Sequence, residues 1–289
     1  MSLICHLCPR ECGVDRSEKA GYCGMGENPR LARAALHFWE EPCISGTQGS
    51  GTVFFSGCTL RCAYCQNYSI SHQGEGKEIS VSRLADIFRM LEDQGAHNIN
   101  LVTATPFIPA VLSALEMYRP AVPIVWNSGG YEKAETIKRL EGAVDIYLPD
   151  FKHFSPRLAK LCAGAPDYFD YAAAAIAQMR RQTGPALYDE KGIMKKGTLI
   201  RHLILPGCTM DSCRVLRYIA ENIPDTPVSL MRQYSPVPWC DIPGLDRKIT
   251  DQEYDRVLDC YQELGLFGYT QEKESATTAY TPAFDLTGV

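Results

Sequence analysis

The 289 residues include 29 Lys+Arg against 34 Asp+Glu, with 45% hydrophobic, 10% aromatic and 22% charged side chains, a globular profile that excludes collagenous and disordered classes. The formal net charge of −5 lacks the basic excess of a nucleic-acid binder or a membrane-surface protein. No apolar run approaches the roughly 18 to 20 residues that span a bilayer.

The start, Met1-Ser2-Leu3-Ile4-Cys5, has neither a charged nor an apolar signal region, so a reducing, cytoplasmic setting is expected. There, thirteen cysteines are better read as metal ligands than as crosslinks. The first group is Cys5-His6-Leu7-Cys8-Pro9-Arg10-Glu11-Cys12, followed by Cys23 in Gly21-Tyr22-Cys23-Gly24. Two cysteines in C-x2-C spacing, a third close by and a fourth after a loop can close a tetrahedral site. Cys43 can replace one ligand. Four thiolates suit zinc or an iron–sulfur cluster, and spacing does not separate the two. Such a metal would staple a core-poor segment, taken as residues 1–50.

From residue 51 a strand–helix alternation repeats. Val53-Phe54-Phe55 reads as the first strand, followed by a cysteine-bearing loop. Leu84, Ile87, Phe88 and Leu91 mark a helix over 82–95, stopped at Gly95. A strand over 98–103, a helix from Pro106 to Tyr118, a strand at 124–126 and a helix over 133–141 follow. Ile146-Tyr147-Leu148 is the fourth strand, with helices near 156–162 and 168–182. Residues 185–197 read as a surface loop or hairpin. The fifth strand runs from Leu199 to Leu205, and Asp211 is expected to cap the next helix. Val228 to Met231 is the sixth strand. Thr250 and Glu253 form a capping-box pattern at the start of the last helix. The tail from Gly268 lacks helical periodicity and is expected on the surface.

Six βα units in series predict an α/β fold: a parallel sheet with helices outside, as an incomplete barrel or open and doubly wound. Both place the site at the carboxyl ends of the strands. We take it as a partial (β/α)6 TIM-like barrel over 51–236, with 237–289 as a C-terminal helix and tail packing on it.

Directly after the first strand stands Cys58-Thr59-Leu60-Arg61-Cys62-Ala63-Tyr64-Cys65, spaced C-x3-C-x2-C. A short loop so spaced can turn three thiolates onto one cluster. Three ligands to a four-iron cube leave one iron open, the logic of catalytic metal sites.

This loop, with an aromatic before its last cysteine and six βα units behind it, resembles the radical S-adenosylmethionine superfamily. Cys65-Gln66-Asn67, Tyr147-Leu148-Pro149-Asp150-Phe151-Lys152, Ile200-Arg201-His202 through Pro206-Gly207 and Met231-Arg232-Gln233-Tyr234 are similar to its pyruvate formate-lyase activating enzyme branch. The resemblance implies a 4Fe–4S cluster on Cys58, Cys62 and Cys65 as the catalytic ligands. It implies S-adenosylmethionine as cofactor, cleaved by one electron to a 5′-deoxyadenosyl radical that abstracts hydrogen. Tyr64 matches the aromatic near the adenine, and Asp150 with Lys152 matches a pair that contacts ribose and carboxylate. A reductant such as flavodoxin or ferredoxin and a glycyl-radical protein substrate are the partners implied, with neither nucleic acid nor membrane.

Two stretches depart from the family. Where Gly-Gly-Glu is common, this chain has Val102-Thr103-Ala104-Thr105-Pro106, whose Thr103 and Thr105 hydroxyls can accept from an ammonium. Where activating enzymes often carry a histidine, Gln233-Tyr234 stands. Asn127 and Ser128, before two glycines, can add an amide and a hydroxyl to the same mouth, or serve only the turn. His202 is a further candidate for the cofactor site, and Cys208 and Cys213 are taken as buried structural thiols. A small-molecule or peptide substrate remains open beside the protein one. The different-class alternative is an iron–sulfur electron carrier or zinc-knuckle interaction protein.

Overall fold

Short runs rich in β-branched and aromatic residues, apolar on both faces, need a sheet covered on two sides. The computed structural model describes residues 4–272 and 281–289; residues 1–3 of the expected N-terminal segment and 273–280 of the expected tail lie outside it. The chain opens with β1 (Arg30–His37), α1 (Pro42–Ser45), β2 (Ser50–Phe55), α2 (Tyr68–Ser71) and β3 (Lys77–Glu78). There follow α3 (Val81–Asp93), β4 (Ile99–Val102), a 3-10 turn (Thr105–Phe107), α4 (Ile108–Met117), β5 (Ile124–Ser128), α5 (Ala134–Lys138) and β6 (Ile146–Pro149). Then come α6 (Pro156–Ala163), α7 (Tyr168–Thr183), β7 (Leu187–Tyr188), β8 (Met194–Thr198) and β9 (Ile200–Leu203). The last elements are α8 (Thr209–Asn222), β10 (Val228–Met231), α9 (Asp251–Glu263) and β11 (Gly268–Thr270).

One sheet has the order β3-β1-β2-β4-β5-β6-β8-β7, and a second the order β11-β10-β9. The strands β2, β4, β5 and β6 pair in parallel, as do β9, β10 and β11. A parallel bridge between Asp150 and Arg201 joins the sheets, with Phe151 N donating to Arg201 O at 2.8 Å. Seven parallel strands thus succeed one another in chain order. A doubly wound sheet reverses its order midway and a barrel does not. The ends of these strands also face one pocket, which requires the sheet to curl. The partial barrel is the winding adopted.

Alternate residues of the strands serve two cores. Trp126 and Tyr147 pack with the helices, while Val125, Ile146 and Leu148 pack inward on Cys43 and Ile44 of α1. Cys43 is therefore a core side chain, 1% exposed among apolar neighbours, and not a spare ligand.

Three elements depart from the sequence reading. The strand β1, with Arg30 and Arg33 among alanines, pairs antiparallel to β2; its charges hide a strand whose pattern only β2 completes. The described tail lies at the surface as expected, but it also contributes β11, parallel to β10, and Leu286 and Thr287 bond backbone to backbone with Ala32 and Ala34 of β1. Asp211 does not cap α8. It lies in the first turn and its carboxylate accepts from Phe154 N (3.0 Å) and Ser155 N (2.8 Å), tying α8 to the start of α6. The 185–197 hairpin forms as β7 and β8, antiparallel.

The capping box at α9 is complete: Glu253 N donates to Thr250 Oγ1, and Thr250 N to Glu253 Oε2. Thr250→Ala should lower unfolding free energy by about 1 kcal/mol. Urea denaturation should show an earlier midpoint at unchanged slope; an unmoved midpoint would mean the box contributes nothing.

Candidate active site

At the carboxyl end of β2 the chain leaves the sheet at Gly57, φ +79, where an added Cβ would lie 2.7 Å from the Cys23 carbonyl oxygen. Only glycine fits so close a crossing in that conformation. The next turn carries Cys58, Cys62 and Cys65, and all three line one pocket of about 230 Å³. The amides of Leu60 and Arg61 donate to Cys58 Sγ at 3.4 and 3.5 Å, and Ser71 Oγ donates to Cys65 Sγ at 3.3 Å. Burial pushes the Cys62 and Cys65 thiols up, so thiolates there need positive charge bound beside them.

Among the described residues, no group of three or more His, Cys, Asp or Glu side chains is placed to hold a metal ion. A single zinc would draw every thiolate to about 2.3 Å. A cube with each thiolate on its own iron keeps them further apart. Three thiols facing one pocket, two of them receiving hydrogen bonds, fit such a cluster. Cys5, Cys8, Cys12 and Cys23 are neighbours, with Cys5, Cys12 and Cys23 all acting electrostatically on the Cys8 thiol. An added Cβ on Gly21 would stand 3.3 Å from Cys12 Sγ and 3.6 Å from Cys23 Sγ, so the glycine leaves room between these two thiols.

Across the pocket a charge network spans the strand ends. Asp150 accepts from Lys152 Nζ at 2.6 Å and from Arg201 Nε at 2.8 Å. Arg201 also donates to Asn127 Oδ1 at 2.6 Å and to Glu40 Oε2 at 3.2 Å, and Asn127 Nδ2 donates to Glu40 Oε1 at 3.1 Å. Burial alone would push the Asp150 carboxyl up, but Arg201 and Lys152 outweigh it and hold it below its usual range. Asp150, Lys152, Asn127 and Gln233 line the pocket, as do Thr103 and Ser128. Tyr64 lines it too, buried, its hydroxyl 3.2 Å from His153 Nε2 and its ring edge-on to Tyr234.

Thr103 has φ 62, rare for a β-branched residue and costing roughly 1–3 kcal/mol. Its amide donates to Asn127 O at 2.8 Å, so the backbone bends toward the pocket exactly where β4 ends.

Two expected residues lie elsewhere. Thr105 is buried and donates to Glu132 Oε1 at 2.6 Å, so its hydroxyl proton is committed outside the pocket. His202 sits on the opposite face of β9 from Arg201 and Leu203, its Nδ1 2.7 Å from Phe151 O, because side chains alternate along a strand. Ser128 Oγ likewise donates to Glu132 Oε2 at 2.7 Å, leaving only acceptor capacity toward the mouth. Glu132, which also accepts from Trp126 Nε1 at 3.0 Å, is thus a buried tie between the ends of β4 and β5.

Sequence reasoning missed Arg201, Glu40, Glu132 and Arg10. Arg10 donates to the carbonyls of Thr59 (2.9 Å), Leu60 (3.2 Å), Ala163 (2.8 Å) and Gly164 (2.7 Å). Its guanidinium also lies 4.2 Å from the Tyr22 ring centroid and 5.0 Å from that of Tyr131. The N-terminal segment is thereby clamped on the three-cysteine loop. Arg10→Ala should cost about 1.5–3 kcal/mol of unfolding free energy, and Arg10→Lys should recover only part, since an ammonium lacks the fork. Equal denaturation midpoints for wild type and both variants would show that the clamp holds nothing.

Residues 52–218 match the Radical SAM superfamily. A relative in Methanocaldococcus jannaschii, the uncharacterized protein MJ0674, is 28% identical over 274 residues, covering 91% of this chain and 75% of the relative. Methylornithine synthase (PylB) superposes with a TM-score of 0.48 at 14% identity, over 94% of this chain and 74% of its own. The FeFe-hydrogenase maturase HydG from Carboxydothermus hydrogenoformans gives 0.47 at 15% identity, over 80% of this chain and 56% of its own. Among the described residues no helix is long and apolar enough to cross a membrane.

Proposed function

The chain belongs to the radical SAM superfamily, and from that premise we propose that Cys58, Cys62 and Cys65 hold the 4Fe–4S cluster at which S-adenosylmethionine is reductively cleaved. The observation that carries this reading is the meeting of all three thiols with Asp150, Lys152 and Asn127 around one pocket inside the family-matched residues. When bound, the cluster supplies an electron and an open iron for the methionine end of the cofactor.

This chain's own residues do the rest. Lys152 keeps two N–H donors beyond its bond to Asp150 and offers them to the cofactor carboxylate. Asp150, held ionised, accepts from ribose hydroxyls. The turned backbone at Thr103 presents carbonyls to the ammonium in place of the missing carboxylate, with the Thr103 hydroxyl a further acceptor. Tyr64 and Tyr234 give an aromatic wall, and Leu60, Val102 and Leu203 keep water from the reacting carbon. Gln233 bridges to Gln271, its Oε1 accepting from Gln271 Nε2 at 3.2 Å, and closes the side toward β10.

The finer reading is that the radical is passed to a glycyl-radical protein, with flavodoxin or ferredoxin as electron donor. The stretches around Cys65, Asp150, His202 and Gln233 that resemble the activating enzymes support it, and a glycyl-radical partner encoded nearby would decide it against a small-molecule or peptide substrate. We also propose that Cys5, Cys8, Cys12 and Cys23 close on a second metal, zinc or iron–sulfur, when it binds. Their neighbouring thiols support this. A Cys5→Ala, Cys8→Ala variant should then lose one zinc or one cluster of iron by metal analysis, and full occupancy would refute the second site.

Anaerobically reconstituted, reduced protein should cleave S-adenosylmethionine to 5′-deoxyadenosine and methionine, slowly even without substrate. Replacing Cys58, Cys62 and Cys65 together by Ala should abolish both cluster and cleavage. Lys152→Ala should keep the cluster and weaken cofactor binding by about one to two decades, the ~1.5–3 kcal/mol of a lost charge-assisted contact. If the reduced, cluster-loaded wild type yields no 5′-deoxyadenosine and its EPR signal ignores the cofactor, the assignment fails and the electron-carrier reading replaces it.

A further inference from the structure

Beside the cysteine pocket lies a second, larger cavity of about 480 Å³, within the range of small-molecule sites. The two share Arg201, Met231 and Gln233, so the second cavity lies directly beside the mouth where the radical would form. Its remaining lining combines acid with aromatic surface. Glu40, Glu41 and Glu272 face it, and Trp39 stands 61% exposed on its rim. Arg201 is the basic residue in this lining, and its guanidinium is already engaged by Asp150, Glu40 and Asn127.

The carboxylates therefore outnumber the cations. Glu41 is the telling one. It is 8% exposed yet lines the cavity, where burial raises its acid to about 7 against the pull of Arg201. A carboxylate kept in so dry a place is costly unless a positive partner arrives to share it. An ammonium or guanidinium entering the cavity would supply that partner and could rest against the Trp39 ring.

Building on the radical reading above, we propose that this cavity recognises the substrate and that the substrate carries an organic cation on an aliphatic stem, held by Glu41, Glu272 and Trp39. The stem would then lead from the acidic end toward Gln233 and the radical site. A free amine and a basic side chain of a peptide present the same chemistry.

Binding can be read in the full-length, cluster-free protein at about pH 8, above the acid's ~7, by quenching of tryptophan fluorescence. The probes are Nα-acetyl-lysine amide, a lysine-centred pentapeptide, and the same two with norleucine or glutamate in place of lysine. A lysine probe should bind roughly tenfold or more tighter than its norleucine and glutamate counterparts; the tighter of the two lysine probes names the source. Glu272→Gln, at an exposed position, and Glu41→Gln should each weaken lysine binding about tenfold and leave norleucine unchanged. Trp39→Phe should weaken it less than Trp39→Ala. Norleucine or glutamate binding as well as lysine, or lysine affinity untouched by both glutamine variants, overturns the proposal. Cleavage of S-adenosylmethionine without substrate is measured separately, so failure of the radical reading and failure of this one are told apart.

Discussion

Arg201 is the group on which the mouth of the barrel depends. Its guanidinium is buried at the seam where the two sheets meet, and a buried charge of this kind is tolerated only when its donors are satisfied. Three of its N–H groups are engaged, by Asp150 just past β6, Asn127 from β5 and Glu40 from the segment after β1. One side chain thus fixes the relative positions of three strand ends. Lys152 joins the same set through Asp150, so its ammonium is held in place at the pocket. Removing Arg201 would leave Glu40 without this cation and Asp150 with Lys152 alone.

The three-cysteine loop is held from the other side. Gly57 lets it pass close under Cys23, and Arg10 gathers the carbonyls of Thr59 and Leu60 with those at the end of α6. Arg16 adds a second anchor by donating to the carbonyls of Pro106 and Gly26. The cysteine-rich N-terminal segment therefore packs on the catalytic face, and whatever orders its four thiols also bears on the loop. That couples two features that look independent in the sequence.

The asymmetry of charge follows from the same geometry. Basic groups are concentrated toward the cysteine pocket, where Lys152 and Arg201 are matched by Asp150. Carboxylates without an equal number of cations lie toward the larger cavity, around Glu41 and Glu272. The shared wall of Arg201, Met231 and Gln233 sets the two compartments side by side.

By itself the sequence determined most of the elements and the family to which the chain belongs. Parallel strands buried on both faces read as continuous apolar runs, and helices from α3 to α9 announce themselves by their stripes and caps, because both signals are local. The C-x3-C-x2-C loop was equally legible, since three cysteines within eight residues need no distant partner. Tertiary structure alone decided what the strand ends present. His202 and Arg201 are adjacent, and either can face the barrel; the register of β9 against β6 turns Arg201 in and His202 out. Thr105 was read as a ligand because Glu132, which takes its proton, lies 27 residues away. The strand β1 escaped notice because its pattern is completed by β2, and β11 because it is short and pairs across the chain with β10. Glu40 and Arg10 carried no local mark either: each acquires its role from partners brought near by the fold, and a pairing over such sequence distances leaves no periodicity to read.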